Sequence, residues 1–431
     1  MDVRKATMAL SNILGSPIRS HFPFPSSGIN INNGSFGSCP YTISESMHNY
    51  QRQIDAQPDI YLRYRVPGQI DKSRAAVAGL INADVDNVVL IPNATTGVHT
   101  VLWNLQYEPG DKIVYLSTTY GACEKVIDYV TEKVTGVEAV RVDIQYPMSK
   151  AEILEKFEYA ISLQGVRVAL FDTVSSMPAF RLPFEEMVLL CKKYNILSLI
   201  DGAHGVGCIP LDLRQLDADF FVSNLHKWLF TPRSCALLHV PARNQHLIRS
   251  SLPTSHGYMP IDKPGKAKIN NPLPASDKSY FVQSFEFVGT LDYSPFLCVS
   301  DAIKYRDLVC GGEEEIIKYC ITLAQRGSER VAEILETEVI GEAEQRECPM
   351  GMVRLPIDIS RNDIAEGKGR SIGAWIEKVS AEEYDAFVPV ILHSESLWVR
   401  LSGQVYLTLE DFDRVGKMLS GICKRAATDM C

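Results

Sequence analysis

The sequence has no run of about 18 apolar residues, the length that crosses a bilayer as a helix, so we expect no transmembrane span. Segment 1–20 lacks the continuous apolar core of a secretory signal. The 11 cysteines include no CxxC pair that would indicate a zinc site, and several stand in apolar text, as reduced thiols do. We therefore expect a cytoplasmic protein without a metal centre.

Dense basic stripes, internal repeats and low-complexity segments are also missing. Without a basic stripe we expect no nucleic-acid partner, and the formal net charge of -9 indicates only a soluble protein. Hydrophobic residues make up 46% and charged residues 22%, as in ordinary globular proteins. Because 431 residues exceed the usual size of one hydrophobic core, we expect a large domain and a smaller one.

Short apolar segments alternate with helical segments through the first half of the chain. This alternation predicts a mostly parallel sheet in an α/β fold. The predicted strands are 87–92, 112–117, 166–172, 196–201, 219–224 and 235–240.

The remaining segments complete the organisation. Residues 41–82 have a helical pattern that is interrupted at Pro67-Gly68. The last third predicts a separate α+β unit. Its segments are a polar loop at 260–283, helix from about 296 to 336, strands at 352–359, 387–391 and 397–402, and a closing helix at about 410–427. We predict an N-terminal arm with a substrate loop (1–40), a large domain (41–300) and a small domain (301–431).

Polar residues stand at the ends of several predicted strands, where α/β sheets bind their ligands. Asp201 ends one apolar strand and could hold a protonated pyridine nitrogen. Lys227 follows the next strand and could form an imine with an aldehyde. Asn93–Gly97 joins a strand to a helix, and its N–H groups and hydroxyls suit a phosphate. Tyr120 could stack on a flat ring or move a proton.

Each of these features alone also has an ordinary structural interpretation. Thr95 and Thr96 could simply cap a helix, and Tyr120 could be a packed rim residue. The order of the four features, each at a strand end in one domain, favours a cofactor site.

Together these segments resemble the pyridoxal 5′-phosphate (PLP) enzymes of aminotransferase class V, which have fold-type I. DGAHGVG (201–207) followed by SNLHKWLFTPR (223–233) is a signature of the branch that includes isopenicillin N epimerase. YLRY, TTYGACEKVIDYV, VSSMP, FEFVGT and VRLSGQVYL are similar to fungal C–S lyases of ergothioneine biosynthesis. Loline-pathway cyclases are similar at fewer segments. The resemblance implies a mostly parallel seven-stranded sheet and a homodimer whose active site lies at the subunit interface.

The resemblance also implies roles for individual residues. Lys227 would bind PLP as a Schiff base and carry a proton, Asp201 would pair with the pyridine nitrogen, and Arg400 would bind the substrate carboxylate. The other implied cofactor contacts are Thr95, Thr96, Tyr120, His204, His226 and either Ser223 or Asn224, with Thr290 reaching the phosphate of the neighbouring subunit.

The chain departs from the branch at three places. Asn33 stands where the Asn-His-Gly-Ser-Phe-Gly motif has histidine, and we predict that it faces the substrate. Ser175-Ser176 replaces a usual Ser-Asn pair, and segment 393–398 is less basic than the lyases suggest. These positions bear on recognition of the substrate side chain.

Three reactions follow from this set of parts. We predict C–S β-elimination from a cysteine S-conjugate, with hercynylcysteine sulfoxide giving ergothioneine, pyruvate and ammonia, and with Tyr120 as the acid for the leaving group. The alternative is an amino-acid epimerase or a Mannich-type cyclase of fungal secondary metabolism. A desulfurase would need a mobile nucleophilic cysteine, for which Cys348 is the nearest candidate.

Overall fold

Seven strands form the larger of two β-sheets in the computed structural model, which describes residues 13–256, 258, 260, 272–361, 364 and 366–429. These strands are β1 (Val88–Ile91), β2 (Lys112–Leu116), β3 (Glu138–Val142), β4 (Val166–Asp172), β5 (Leu197–Asp201), β6 (Phe220–Asn224) and β7 (Ala236–His239). Their spatial order is β1-β7-β6-β5-β4-β2-β3. Strand β7 runs antiparallel to β1 and β6, and the other neighbours are parallel. The predicted mostly parallel seven-stranded sheet is confirmed.

Helices surround this sheet. Those before β1 are α1 (Ser16–Arg19), α2 (Asn33–Phe36), α3 (Tyr41–Ala56), α4 (Pro58–Tyr64) and α5 (Val66–Leu80). Those between and beside the strands are α6 (Ala94–Asn104), α7 (Gly121–Lys133), α8 (Lys150–Ile161), α9 (Phe184–Tyr194), α10 (Leu213–Leu216) and α11 (Leu225–Trp228). Those of the last third are α12 (Tyr280–Glu286), α13 (Ser294–Leu297), α14 (Val299–Cys310), α15 (Glu313–Leu335), α16 (Lys368–Tyr384) and α17 (Leu409–Asp429). Among the described helices, none has the length and apolar character needed to cross a membrane.

The central strands are apolar throughout because both faces of the sheet are covered. In β1, Val88 and Leu90 belong to one buried core, whereas Val89 and Ile91 belong to the core on the opposite face. Strand β3 was not predicted. It pairs with β2 alone at the sheet edge, and most of its side chains are solvent-exposed or half-buried, so its sequence carries little apolar signal.

The helical segment 41–82 is divided at other residues than predicted. The breaks lie at Gln57 and Arg65, and Pro67 sits in the first turn of α5. A proline is tolerated there because the N–H it lacks has no partner within the helix. The predicted helix near 296–336 is likewise divided, at Gly311 and Gly312, whose φ angles of 90° and 96° suit glycine.

The smaller sheet belongs to the last third of the chain. Its strands are β8 (Met350–Arg354), β9 (Val390–His393) and β10 (Ser396–Ser402), antiparallel in the order β8-β10-β9. Ile18 and Ile31 from the start of the chain share a buried core with Val399 and Leu401 of β10. The N-terminal segment therefore packs against the C-terminal unit. The division into domains at 40 and 300 stays a prediction.

Two predicted segments fall partly outside the described residues. These are the N-terminal arm, described from residue 13 onward, and the loop at 260–283, described at 260 and from 272. In the second segment, α12 begins at Tyr280. The carboxyl ends of β1, β2, β4, β5 and β6 meet on one side of the large sheet, where Asp201 and Asn224 are the last residues of β5 and β6.

Candidate active site

The short helix α11 presents Lys227, and its backbone is held from two other elements. Asn33 of α2 donates a hydrogen bond from Nδ2 to the Lys227 carbonyl oxygen, over 2.9 Å. Arg306 of α14 donates from Nη1 to the Trp228 carbonyl oxygen, over 2.7 Å. These bonds satisfy carbonyl groups that a four-residue helix leaves unpaired. The position of the Lys227 main chain is therefore fixed.

The Lys227 amine lies 3.2 Å from Nε2 of His204. Burial lowers the pKa of Lys227 to about 8, since its charged form loses hydration. The Asp201 carboxylate opposes this shift and the Arg400 guanidinium adds to it. An amine with this pKa is partly unprotonated near neutral pH and can attack an aldehyde.

Two carboxyl groups lie side by side at the ends of β4 and β5. Asp172 and Asp201 are paired in the strand register, and both are buried. Asp201 accepts the Ala203 N–H at Oδ1, over 3.0 Å, and the Cys123 thiol at Oδ2, over 3.4 Å. Oδ2 of Asp172 has no hydrogen-bond partner among the described residues. Burial raises the pKa of both groups, and the nearby Asp201 charge raises that of Asp172 further. A protonated pyridine nitrogen would add a second positive group beside this buried pair, whose charged forms the Lys227 amine already favours.

His204 lies between the Lys227 amine and an indole ring. It is 2% exposed, and the Trp228 indole donates from Nε1 to its Nδ1 over 3.0 Å. Burial, together with the neighbouring Lys227 charge, holds the pKa of His204 well below its ordinary value. Its ring is therefore neutral. The sequence alone suggests that Trp228 is a packing residue. Its contact with His204 was not predicted, because no sequence pattern shows which group an indole N–H will reach.

The start of α6 forms the predicted phosphate site. Asn93 caps the helix by accepting the Thr96 N–H over 2.8 Å, and Asn224 accepts the Ala94 N–H over 2.9 Å. The Thr95 hydroxyl has no hydrogen-bond partner within the described chain, which leaves it available to a ligand. The helix N-terminus carries partial positive charge and suits an anion.

Helix α6 approaches β6 closely because residue 97 is glycine. A Cβ atom at Gly97 would lie 2.6 Å from Cγ1 of Val222, well inside van der Waals contact. This close approach is what lets Asn224, at the end of β6, reach the first turn of α6.

Of the two alternatives for the phosphate, Asn224 is the better placed. The Ser223 hydroxyl is fully buried and accepts the Val206 N–H over 3.0 Å, away from the start of α6. His226 lies beside Asn224, and its Nδ1 is 2.9 Å from the Cys235 carbonyl oxygen. Burial lowers the pKa of His226 to about 4. A bound phosphate would raise that pKa, because an anion favours the charged imidazole.

Arg400 projects from β10 and is 1% exposed. Its Nη1 donates to the Ser176 carbonyl oxygen over 2.8 Å, and its Nη2 donates to Oδ1 of Asn32 and Oγ of Ser35, both over 2.7 Å. Its Nε has no partner among the described residues, and every acceptor found is neutral. Burial lowers the pKa of Arg400 to about 10. A buried guanidinium without a carboxylate partner is a suitable site for the carboxylate of a substrate.

The structure places Asn33 beneath Lys227. Its Oδ1 accepts the Tyr406 hydroxyl over 3.2 Å while its Nδ2 holds the Lys227 carbonyl, and the residue is 1% exposed. Contact between Asn33 and substrate stays a prediction. The neighbouring Asn32, which the sequence did not single out, has the side chain that reaches Arg400.

The remaining predicted residues are at the periphery. Tyr120 stands at the N-cap position of α7 without a side-chain capping bond and is 50% exposed, and its contact with a cofactor or leaving group stays a prediction. Thr290 is exposed on a turn before α13. Cys348 is fully buried and donates its thiol to the Met350 carbonyl, and burial raises its pKa to about 11. It is therefore not a mobile nucleophile in this structure.

Taken together, the amine, the buried acid and the helix N-terminus fit an aldehyde cofactor that carries a pyridine ring and a phosphate, and the guanidinium fits the carboxylate of a substrate. An aldehyde, a pyridine ring and a phosphate are the chemical features of PLP, and the sequence-predicted residues Lys227, Asp201, Thr95, His204 and Asn224 all lie where they could hold it.

Comparisons with known proteins agree with this fit. The family model for aminotransferase class V matches residues 38–365. The chain is 36% identical to the L-cysteine desulfhydrase-like protein lolT1 of Epichloe uncinata, over 95% of this chain and 96% of that protein. It is 32% identical to hercynylcysteine sulfoxide lyase of Schizosaccharomyces pombe, over 96% and 100%.

A solved structure has the same fold. The cystine C–S lyase C-DES, in complex with its product cysteine persulfide, superimposes with a TM-score of 0.76 at 17% identity, covering 93% of this chain and 99% of that one. The predicted α/β fold is confirmed by this likeness. With the family model matching most of the chain, the protein belongs to the aminotransferase class V family.

Proposed function

We propose that this protein is a PLP-dependent C–S lyase that acts by β-elimination on a cysteine S-conjugate. PLP is the cofactor of the family. The observation that carries the proposal is the buried Arg400 guanidinium, which has only neutral acceptors and lies near enough to Lys227 to lower the pKa of its amine. An amino-acid carboxylate bound there would bring its α-carbon toward Lys227. Cleavage of a C–S bond is supported by the similarity of this chain to L-cysteine desulfhydrase-type proteins and to hercynylcysteine sulfoxide lyase.

Different residues would hold different parts of the cofactor. Lys227 would bind the aldehyde carbon, Asp201 the pyridine N–H, and Thr95 with Asn224 and His226 the phosphate. Thr96 donates both its N–H and its hydroxyl to Oδ1 of Asn93, over 2.8 and 3.0 Å, so donation from its hydroxyl to the phosphate would require the second bond to break. When bound, PLP supplies an electron sink that stabilises negative charge at the substrate α-carbon.

Proton movements belong to the protein. The Lys227 amine would take the substrate α-proton at Nζ, which its lowered pKa permits. The electron pair of the Cα–H bond becomes the Cα–Cβ double bond as the Cβ–S bond breaks. We propose Tyr120, which is 50% exposed, as the donor of a hydroxyl proton to the leaving group. Water then hydrolyses the released enamine to pyruvate and ammonia.

We propose hercynylcysteine sulfoxide as the substrate. The proposal is supported by 32% identity to the Schizosaccharomyces pombe lyase of that name, with nearly complete coverage of both chains. Elimination from a sulfoxide releases a sulfenic acid, so formation of ergothioneine also requires a two-electron reduction by a thiol.

An amino-acid epimerase or a Mannich-type cyclase is the second candidate. It is favoured by 27% identity to isopenicillin N epimerase of Streptomyces clavuligerus, over 64% of this chain. Epimerisation requires a proton donor on the face of the substrate opposite Lys227. A persulfide-forming desulfurase is less well supported, because nine of the ten described cysteines are buried.

We propose a homodimer whose active sites lie at the subunit interface. Thr290 supports the proposal, since it is exposed in the single chain and would reach the phosphate bound by the partner. We also propose a cytoplasmic location, which imaging of a tagged chain would test. The ten described cysteines are all free thiols, as in a reducing compartment.

The lyase proposal predicts rapid pyruvate release from hercynylcysteine sulfoxide and from other S-substituted cysteine sulfoxides, assayed with PLP-loaded protein and added thiol. Lys227→Ala should lower the rate by more than about 10³-fold and Tyr120→Phe by about 10²-fold, the range for general acid–base groups. Tyr129→Phe, an exposed tyrosine on the same helix, is the control and should retain the rate.

The lyase proposal would be wrong if no pyruvate formed from any of these substrates while the cofactor absorbance still responded to other amino acids. In that case, incorporation of deuterium at the α-carbon in heavy water, with inversion of the configuration there, would support an epimerase instead.

Arg400→Lys should lower kcat/KM for the amino-acid substrate by about 10- to 100-fold, because a point charge replaces a bidentate fork. The decarboxylated analogue, which has no carboxylate to bind, should be turned over equally by parent and variant. Arg354→Lys, on the neighbouring strand β8, is the matched control because its guanidinium already pairs with Glu338. Equal losses with both substrates would show that Arg400 has only a structural role.

The rate at which cofactor-free protein binds PLP covalently should depend on pH. Only the unprotonated amine attacks the aldehyde, so the rate should rise with pH through about 8 and then level off. Asp201→Asn should shift the midpoint to lower pH, because the Asp201 carboxylate raises the pKa of Lys227. Stopped-flow absorbance would measure both, and a midpoint near the ordinary lysine value of 10.5 would contradict the structure.

Mixed subunits would test the interface. Thr290→Ala should weaken PLP affinity about 10-fold, the effect of losing one hydrogen bond to a charged group. A heterodimer of Thr290→Ala and Lys227→Ala subunits contains one complete site, so mixing the two inactive samples at limiting PLP should restore activity. Absence of recovery, or a monomer by light scattering, would refute the proposed interface.

A further inference from the structure

Two consecutive polar contacts link an indole, an imidazole and the Lys227 amine inside the protein. The Trp228 Nε1 lies 3.0 Å from Nδ1 of His204, and Nε2 of the same ring lies 3.2 Å from Nζ of Lys227. Trp228 and His204 are 1% and 2% exposed, so water does not compete for these groups. Trp228 directly follows Lys227 in the sequence. His204 therefore contacts two consecutive residues, the Lys227 amine through Nε2 and the Trp228 indole through Nδ1.

The hydrogen-bonding capacity of each group decides where the ring proton sits. An indole N–H can only donate, so Nδ1 of His204 must accept and cannot carry a proton. A neutral imidazole has a single N–H, and in His204 that proton must consequently be on Nε2. Burial and the adjacent Lys227 charge keep the ring neutral.

We propose that Trp228 is a positioning residue that fixes the ring proton of His204 on Nε2 and so makes His204 a hydrogen-bond donor to the uncharged Lys227 amine. An ammonium group has three N–H donors and no lone pair, so it cannot accept from Nε2. An unprotonated amine can. The contact therefore favours the form of Lys227 that attacks an aldehyde and accepts a proton. This inference rests on the proposed role of Lys227 in binding PLP.

The other groups that act on Lys227 do not depend on the indole N–H. They are the carboxyl groups of Asp201 and Asp172, the guanidinium of Arg400 and the thiol of Cys208. His226, on the same helix as Lys227, acts on the His204 ring. The backbone at Trp228 is held by Arg306, so exchange of the side chain leaves the helix anchored. Removal of the indole N–H thus isolates the effect of the proton position in His204.

Trp228→Phe removes the donor and frees the His204 proton to move to Nδ1. Nε2 then becomes an acceptor for the Lys227 ammonium, which stabilises the charged amine. The midpoint pH of covalent PLP binding by the cofactor-free variant should rise by about one unit, the effect of a hydrogen bond to a charged group. Trp398→Phe is the control, because Trp398 is also buried but donates to the His393 carbonyl. Its midpoint should equal that of the parent.

A double-mutant cycle separates this role from a structural one. In a His204→Gln background, Trp228→Phe should cause no further shift of the midpoint, because the indole acts through His204. An unchanged midpoint in Trp228→Phe, or an equal shift with and without His204, would overturn the inference. If the Phe variant does not fold, β-(3-benzothienyl)alanine at 228 keeps the ring shape without an N–H and gives the same test.

Failure of the proposed function would look different. If Lys227→Ala still formed the covalent PLP absorbance band, Lys227 would not be the cofactor lysine, and the proposed function would be wrong. If Lys227→Ala abolished the band and Trp228→Phe left the midpoint unchanged, only the inference about Trp228 would be wrong.

Discussion

The burial of a lysine amine beside charged groups of both signs is the constraint on which the rest of the site depends. Removing Lys227 from water favours its neutral form, whereas Asp201 favours the charged one, and the result is a pKa of about 8. This balance holds only while the amine stays in place, because Coulomb interactions change steeply with distance in a dry interior. Anchoring of the Lys227 turn by Asn33 and Arg306 is therefore an electrostatic requirement as much as a packing one.

The N-terminal loop meets this requirement by joining two parts of the chain that are far apart in sequence. Within it, Asn33 holds the Lys227 carbonyl, and Asn32 and Ser35 hold the Arg400 guanidinium. Gly37 has a φ of 69°, and a Cβ atom there would lie 1.8 Å from the His226 carbonyl oxygen, so only glycine permits this approach. The loop thereby sets the spacing between the amine proposed to bind the cofactor and the guanidinium proposed to bind a carboxylate.

Residues that end an apolar strand could be predicted from the sequence, because a strand buried on both faces gives a continuous apolar run with a clear end. Asp201, Lys227 and the segment from Asn93 were found in this way. Strand β3 was missed since an edge strand is polar, and α16 was missed since its glycines and charged residues weaken the helical signal. The contacts of Asn33 and Trp228 could not be predicted at all, because they join residues brought together only by tertiary packing.

The outcome of the reaction depends on which groups have access to the bound substrate rather than on the amine itself. The proposed loss of the α-proton to Lys227 would be common to elimination, epimerisation and cyclisation, so the Lys227 site does not distinguish them. A sulfur leaving group needs a proton donor, and the proposed donor, Tyr120, is 50% exposed. Sulfur transfer to the protein needs an accessible thiol, whereas Cys348 is fully buried and its thiol donates to the Met350 carbonyl. The distribution of exposure between a tyrosine and a cysteine thus favours elimination with release of the sulfur fragment.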